Sequence, residues 1–270
     1  LDCREMDEHK TLLKDVFGES SDSEDDEQQK QQIQFEDSNN GGRAQSIFGK
    51  NPSWERVTEI SGLWLCRDFL SSEQQSSLLS TIENEGWFTE ASHNQAMRFG
   101  DLPAWATELS NSIREVVHFS DYVSELGDFA TCDDDENACF FPSDLLWREP
   151  LFNQLIVNVY QPGEGICAHI DLMRFEDGIA IVSLESSCVM HFTRVESEVG
   201  NIGNGSKTNP PTTKIPVFLS PGSLILMWGE ARYLWKHEIN RQAGFQKWEG
   251  QDIDQKRRTS ITLRKLCSTE

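Results

Sequence analysis

This sequence of 270 residues lacks three features that would place it in a membrane or outside the cell. No run of about 18 apolar residues occurs, which argues against a transmembrane helix. The opening residues LDCREMDEHK lack the charged-then-apolar order of a secretory signal. The seven cysteines are odd in number and contain no C-x-x-C pair, which argues against a disulfide framework or a thiolate zinc site. We therefore expect an intracellular protein of the nucleus or cytoplasm that does not contact membranes.

Positive charge is also scarce, because 24 Lys and Arg residues stand against 45 Asp and Glu residues and the net charge is −21. Phosphate binding relies on Lys and Arg, so we do not expect strong nonspecific affinity for DNA. Any contact with a nucleic acid must be a local patch or a pocket for one nucleotide. A flipped or single-stranded base fits that restriction better than tracking along a duplex.

The first half of the chain divides by composition into two parts. Residues 1–45 are acidic and poor in aromatics, which is typical of a disordered tail. Within them HKTLLKDVFGES has apolar residues at helical spacing, which indicates either a docking motif for a protein partner or a chance cluster. Residues 46–145 are predicted to be an N-terminal extension with two helices. The first helix opens at Ser71-Ser72, where a hydroxyl cap is followed three residues later by Gln74 or Gln75, and the second covers about 103–119.

Residues 146–270 contain short apolar runs that are separated by Gly, Pro and Asn turns, with no long helix between them. The runs are LIVNVY, IAIVSL, CVMHFTRV, KIPVFL, SLILMW, RYLWKHEI and TSITLRKL. Many short strands in series predict an antiparallel sandwich or jelly roll. With the two helices, the sequence predicts a mainly β fold with flanking helices, of the α+β class.

A motif with metal-binding chemistry ends the stretch NVYQPGEGICAHID. In an extended backbone His169 and Asp171 project to the same side, while the residue between them points away. Such a pair suits Fe(II), Mn(II) or catalytic zinc, although it often forms only a surface hydrogen bond. His191 fits an ordinary strand histidine. His237 is the better third ligand, because H-x-D with a distant histidine is the facial triad of non-haem Fe(II) oxygenases.

A second polar cluster lies in RRTSITLRK near the end of the chain. Four residues share one face of a predicted strand, and apolar residues occupy the other face. These four are Arg258, Ser260, Thr262 and Arg264. Two guanidinium groups on a half-buried strand suit bidentate binding of a dicarboxylate, and the alternative is a solvated basic edge strand.

The set NVYQPGEGICAHID, RYLWKHEIN and RRTSITLRK resembles the AlkB family of Fe(II)- and 2-oxoglutarate-dependent dioxygenases, and within it the tRNA wobble-uridine hydroxylase branch. The resemblance covers roughly Trp54 to Leu266. It implies a double-stranded β-helix, which is a jelly-roll core, and an enzyme that uses Fe(II), 2-oxoglutarate and O2. The implied reaction is hydroxylation or oxidative demethylation of a modified nucleobase, with RNA or tRNA as the leading substrate. The alternative substrates are alkylated DNA and a protein side chain. The alternative function is that of a non-catalytic binding module on the same fold.

The resemblance also implies roles for individual residues. His169, Asp171 and His237 would ligate Fe(II). The residues implied to bind 2-oxoglutarate are Asn158, Tyr160, Arg258, Ser260, Thr262 and Arg264, with Arg258 on the distal carboxylate and Ser260 in place of the asparagine of the bacterial prototype. The residues Met97, Arg98 and Phe99 fall where the family has its nucleotide-recognition lid.

The wobble hydroxylases of animals carry an RNA-recognition module before the oxygenase and a methyltransferase after it. This sequence has an acidic segment before its oxygenase-like part and ends at Glu270. We therefore expect that any coupling to methyl-ester formation on tRNA would need separate partners.

Overall fold

The computed structural model describes residues 53–90, 93–126, 139–195, 213–242 and 244–268. The predicted acidic tail, residues 1–45, lies outside the described residues and stays a prediction. In the part of the chain that is described, no helix is both long and apolar enough to cross a membrane.

The described residues form thirteen strands and four helices. The strands are β1 (Trp54–Arg56), β2 (Leu63–Cys66), β3 (Gln95–Phe99), β4 (Gln154–Tyr160), β5 (Ile166–His169), β6 (Ile179–Leu184), β7 (Cys188–Arg194), β8 (Lys214–Leu219), β9 (Leu224–Met227), β10 (Trp235–Ile239), β11 (Lys247–Trp248), β12 (Gln251–Asp252) and β13 (Arg258–Arg264). The helices are α1 (Ser72–Asn84), α2 (Ala104–Leu126), α3 (Ser143–Leu146) and α4 (Glu230–Tyr233).

Two antiparallel sheets form a jelly roll, as the sequence predicts. The larger sheet has the order β1-β2-β9-β6-β13-β4-β3, and the smaller has the order β5-β10-β7-β8. Side chains from β2, β6 and β9 of the larger sheet share one buried cluster with side chains from β7, β8 and β10 of the smaller sheet. The two sheets therefore face each other, and a site between them draws residues from both.

The other face of the larger sheet packs against α1 and α2. Ile82 of α1 and Ile113 of α2 belong to the same buried cluster as Val157 of β4 and Ile261 of β13. Burial on both faces explains why five of the six residues of β6 are apolar instead of alternating with polar ones, and all six residues of β6 are buried. The helices thus leave the opposite face of β4 and β13 free to carry polar residues.

The predicted start of the first helix is confirmed in detail. Ser71 precedes α1 in an extended conformation, and its hydroxyl accepts a hydrogen bond from the Gln74 backbone N–H at 3.3 Å. The Gln74 side chain accepts in turn from the Ser71 backbone N–H at 2.7 Å. This reciprocal capping box satisfies two N–H groups that a helix start leaves without partners.

Two segments differ from the pattern expected from sequence. Residues Gln95–Phe99, which contain the predicted lid, form strand β3 at the edge of the larger sheet, where they pair with β4. The run RYLWKHEI is not one strand, because Arg232 and Tyr233 end the short helix α4 and β10 begins at Trp235. Gly229, the residue before this helix, adopts a positive φ of 54°, a conformation that glycine reaches without steric cost. The chain can therefore turn into α4 although the residues of that run favour a strand.

Candidate metal centre and co-substrate pocket

The two strands that carry the candidate metal ligands pair directly. In the antiparallel register of β5 and β10, His169 lies opposite His237. Gly165 enables this approach, because a Cβ there would lie 2.0 Å from the carbonyl oxygen of Ile239. A residue with a side chain at this position would push β5 away from β10.

The structure brings the three predicted ligands together. One ligand atom from each of His169, Asp171 and His237 lies within 4.8 Å of the others. His237 Nε2 is 3.8 Å from Asp171 Oδ2, and the two imidazole ring centroids are 4.3 Å apart. Asp171 and His237 are buried. Two imidazoles and one carboxylate on one side of a site are a donor set that fits Fe(II) and leaves coordination positions open.

The electrostatic environment keeps these groups in metal-binding forms. Burial lowers the pKa of His237 to about 4, so its imidazole is neutral at neutral pH. Burial opposes ionisation of Asp171, yet neighbouring His237 and the permanently charged Arg264 together hold the pKa of this carboxyl below its usual value. His169 Nδ1 lies 2.8 Å from the carbonyl oxygen of Cys167. Donation of a proton to that oxygen leaves His169 Nε2 free to bind a metal.

Arg264, a predicted co-substrate residue, contacts the candidate metal ligand in this structure. Its Nη1 donates to Asp171 Oδ1, and its Nε donates to Gln154 Oε1 at 2.6 Å. All three side chains are buried. Arg264 therefore orients the carboxylate that faces the two histidines and favours its ionised form. The sequence analysis did not identify Gln154, since a polar residue within an apolar run carries no local signal of its partner.

Arg232 supports the same ligand from the backbone side, and the sequence analysis assigned it no role. Its guanidinium is 2% exposed and donates to the carbonyl oxygens of Asp171, Leu172 and Phe175 at 2.9, 2.8 and 3.2 Å. One side chain therefore fixes the turn that follows the H-x-D motif. The available sequence signal for a role of Arg232 at the site was its position in RYLWKHEIN, five residues before His237.

The predicted dicarboxylate-binding arginine has free donors. Arg258 is 3% exposed, and among the described residues no partner contacts its Nη1 or Nη2. Its Nε donates to the hydroxyl of Ser183 at 3.0 Å, which fixes the plane of the guanidinium. Tyr160 lies beside it, with the ring centroid 5.5 Å from the guanidinium carbon. Buried polar groups are normally paired, so two unpaired NH2 groups on a buried cation fit an anionic ligand such as a carboxylate.

The remaining predicted co-substrate residues lie on the same face of β4 and β13. Asn158 is opposite Ser260 in the register, and its Oδ1 accepts a hydrogen bond from Gln95 Nε2 at 2.6 Å. Burial raises the pKa of Tyr160, so its phenol keeps its proton at neutral pH. Ser260 is buried, and Thr262 is half-buried further along β13 towards Arg264. The polar face of these two strands therefore runs from Arg258 at one end to Arg264, which binds Asp171, at the other.

The three predicted lid residues divide between the two faces of β3. Phe99 lies opposite Gln154 in the register with β4, so Met97 and Phe99 share the face that carries Gln154 and the site. Arg98 points to the other face, where its guanidinium lies 4.3 Å from the ring centroid of Trp87. Strand alternation therefore brings two of the three residues to the side of the site.

His191 does not join the metal-ligand group. It lies on β7, where neighbouring Met190 and Phe192 point into the cluster between the sheets. Its ring contacts Phe245 at a centroid distance of 6.0 Å on the opposite face. Strand alternation separates His191 from His237, because Phe192 is the residue opposite His237 in the register of β7 and β10.

Comparison with known proteins identifies the family. The family model described as the 2OG-Fe(II) oxygenase superfamily matches residues 62–264. The chain belongs to this superfamily. It is therefore a 2-oxoglutarate-dependent dioxygenase, with Fe(II) as its metal and 2-oxoglutarate and O2 as co-substrates. A jelly roll with helices on its larger sheet is the fold of such an enzyme.

Similar proteins carry AlkB-type names. The chain is 29% identical to the tRNA (carboxymethyluridine(34)-5-O)-methyltransferase alkbh8 of Xenopus tropicalis, over 76% of this chain and 32% of that protein. It is 29% identical to the Alkylated DNA repair protein ALKBH8 homolog of Arabidopsis thaliana, over 77% of this chain and 59% of that protein. The chain thus spans about a third of the first relative and just over half of the second.

The solved structure of OsALKBH1 has the same fold. It superposes with a TM-score of 0.51 at 12% identity, over 79% of this chain and 100% of that chain. This similarity shows the fold alone, whereas the two ALKBH8 relatives confirm the resemblance to the AlkB family.

Proposed function

We propose that this oxygenase hydroxylates or oxidatively demethylates a modified nucleobase in RNA, with tRNA as the leading substrate. Two observations carry the chemistry: the grouping of His169, Asp171 and His237, and the buried guanidinium of Arg258, whose Nη1 and Nη2 have no hydrogen-bond partner among the described residues. Arg258 shares one face of β13 with Arg264, which binds Asp171. Support for tRNA comes from the Xenopus relative, whose name specifies a carboxymethyluridine of tRNA.

In this proposal His169, Asp171 and His237 hold Fe(II), and Arg258 binds the distal carboxylate of 2-oxoglutarate. When bound together with 2-oxoglutarate and O2, the iron supplies oxidation of a substrate C–H bond, coupled to release of succinate and carbon dioxide. Arg264 keeps Asp171 ionised and oriented. The low pKa of His237 keeps its nitrogen available as a ligand at neutral pH.

The side chains beside Arg258 would complete the co-substrate pocket. The Tyr160 phenol is protonated at neutral pH and can donate a hydrogen bond to a carboxylate. The Asn158 amide has donors besides the oxygen that Gln95 occupies. Ser260 and Thr262 lie between the two arginines on β13 and would line the pocket with hydroxyl groups.

The test is to incubate the protein with Fe(II), ascorbate, 2-oxoglutarate and total tRNA, and to measure succinate and digested nucleosides by mass spectrometry. We expect tRNA to stimulate succinate formation and one modified nucleoside to gain an oxygen or lose a methyl group. The His169→Ala variant is the negative control. If tRNA does not stimulate succinate formation and all its nucleosides stay unchanged, tRNA is not the substrate.

Alkylated DNA is the second candidate, because the Arabidopsis relative is named as an alkylated DNA repair protein. Methylated single-stranded oligodeoxynucleotides therefore belong in the same assay. Loss of their methyl groups with release of formaldehyde, without any change in tRNA, would favour DNA over RNA. Stimulation by peptides alone would instead indicate a protein substrate. A protein that binds iron but forms no succinate in any mixture would indicate a binding module.

A further inference from the structure

The turn that follows the H-x-D motif, residues 171–175, is held at every carbonyl group. Arg232 binds three of these carbonyls, as described above. Cys267 binds the other two, because its backbone N–H donates to the Arg174 carbonyl at 2.9 Å and its thiol lies 3.6 Å from the Met173 carbonyl. The backbone of this turn is therefore preorganised, so the Cα positions from which its side chains project are fixed.

Two of those side chains extend into solvent beside an exposed aromatic ring. Met173 is 64% exposed, and Arg174 is also exposed. The guanidinium carbon of Arg174 lies 5.6 Å from the ring centroid of Phe99, which is itself 47% exposed. Six other described arginines form ion pairs with carboxylates, whereas among the described residues Arg174 has no such partner. These three side chains, Met173, Arg174 and Phe99, are called the rim cluster below.

The rim cluster lies next to the candidate metal centre. Phe99 is opposite Gln154 in the register, Gln154 binds Arg264, and Arg264 binds Asp171. Arg174 is three residues after Asp171 on the preorganised turn. A molecule that enters the site between the sheets from this edge would therefore contact the rim cluster first.

The chemistry of the rim cluster fits a nucleotide. An exposed aromatic ring can stack on a base, and a guanidinium can bind a phosphate with two parallel hydrogen bonds. An unpaired arginine supplies local positive charge in a chain whose net charge is −21. Exposed Phe and Met side chains contribute little to folding, because burial is what stabilises apolar groups.

We propose that Arg174 and Phe99 bind a nucleotide of single-stranded RNA that adjoins the target base. Arg174 binds its phosphate, Phe99 stacks on its base, and Met173 packs against the same nucleotide. This inference rests on the proposed function, and it names the residues by which an acidic enzyme recognises its RNA substrate.

The experiment measures binding of a fluorescently labelled single-stranded oligoribonucleotide by anisotropy, at several salt concentrations, to the full chain loaded with metal. We expect Arg174→Gln and Phe99→Ala each to weaken binding by roughly tenfold. Arg174→Gln should also reduce the slope of log affinity against log salt by about 0.7, the value for one lost phosphate contact on a single strand. Phe99→Tyr should bind like the wild type, because it keeps the ring.

The matched control is Arg56→Gln on β1, at the opposite edge of the same sheet from Phe99. This variant removes the same charge far from the rim cluster, so its affinity for the oligoribonucleotide should equal that of the wild type.

The outcomes separate the two proposals. If the wild type binds the oligoribonucleotide and Arg174→Gln and Phe99→Ala bind it equally well, the role of the rim cluster is overturned and the proposed function is left intact. Equal weakening in Arg56→Gln would also overturn that role, since it would indicate a general charge effect. If the wild type binds only the oligodeoxynucleotide of the same sequence, or binds neither, the proposed RNA substrate fails and the inference fails with it.

Discussion

Replacement of Arg258 by lysine tests the co-substrate pocket with the positive charge retained. Among the described residues, the guanidinium of Arg258 makes one hydrogen bond, to Ser183, and its two buried NH2 groups have no hydrogen-bond partner. A lysine at this position offers a single nitrogen, so it cannot hold Ser183 and bind both oxygens of a carboxylate in a fixed plane. We therefore expect weaker binding of 2-oxoglutarate despite the unchanged charge.

The size of the effect follows from the lost contacts. A hydrogen bond that involves a charged group contributes about 1.5–3 kcal/mol, and Arg258→Lys loses at least one of them. At about 1.4 kcal/mol for each factor of ten, the KM for 2-oxoglutarate should rise roughly ten- to a hundredfold. The bound iron should be unaffected, because Arg258 does not contact any of the candidate metal ligands.

The assay is a titration of 2-oxoglutarate with succinate as the measured product, alongside determination of bound iron. Arg257→Lys is the matched control, because Arg257 precedes Arg258 in sequence but forms an ion pair with Glu185 and is 41% exposed. This control should keep the wild-type KM. An unchanged KM in Arg258→Lys would refute the assignment and would direct attention to Arg264 or Arg257.

Three further perturbations follow from the contacts. Asp171→Ala should abolish iron binding, since a methyl group cannot offset the charge of Fe(II), and stoichiometric iron after anaerobic reconstitution would contradict the metal assignment. Arg232→Lys should lower the free energy of unfolding in urea by roughly 2 kcal/mol and weaken iron retention, because a single nitrogen cannot replace the two separate guanidinium nitrogens that bind the three carbonyls, and wild-type values would contradict this role. Ser71→Ala should lower the free energy of unfolding by about 1 kcal/mol through loss of the helix cap, with Ser72→Ala as the control and iron retention unchanged.

Local sequence pattern was sufficient for the elements and for the H-x-D pair. Strand periodicity places His169 and Asp171 on one side regardless of the rest of the fold. The capping box at Ser71 and Gln74 depends only on residues three positions apart.

The assignment of partners to the polar residues was decided by tertiary structure. Arg258 and Arg264 look equivalent in sequence, yet one has unpaired donors and the other binds Asp171. Arg98 and Phe99 are adjacent, but only the pairing of β3 with β4 decides which of them faces the site.

The sequence by itself determined that a metal-binding pair and an arginine-bearing strand exist, because each depends on spacing within one strand. Only the tertiary structure decided that His237 lies opposite His169, that Arg232 fixes the turn after Asp171, and that Arg174 meets Phe99. The physical reason is that these contacts join segments far apart in the chain, and their geometry is set by sheet register and packing instead of local conformation.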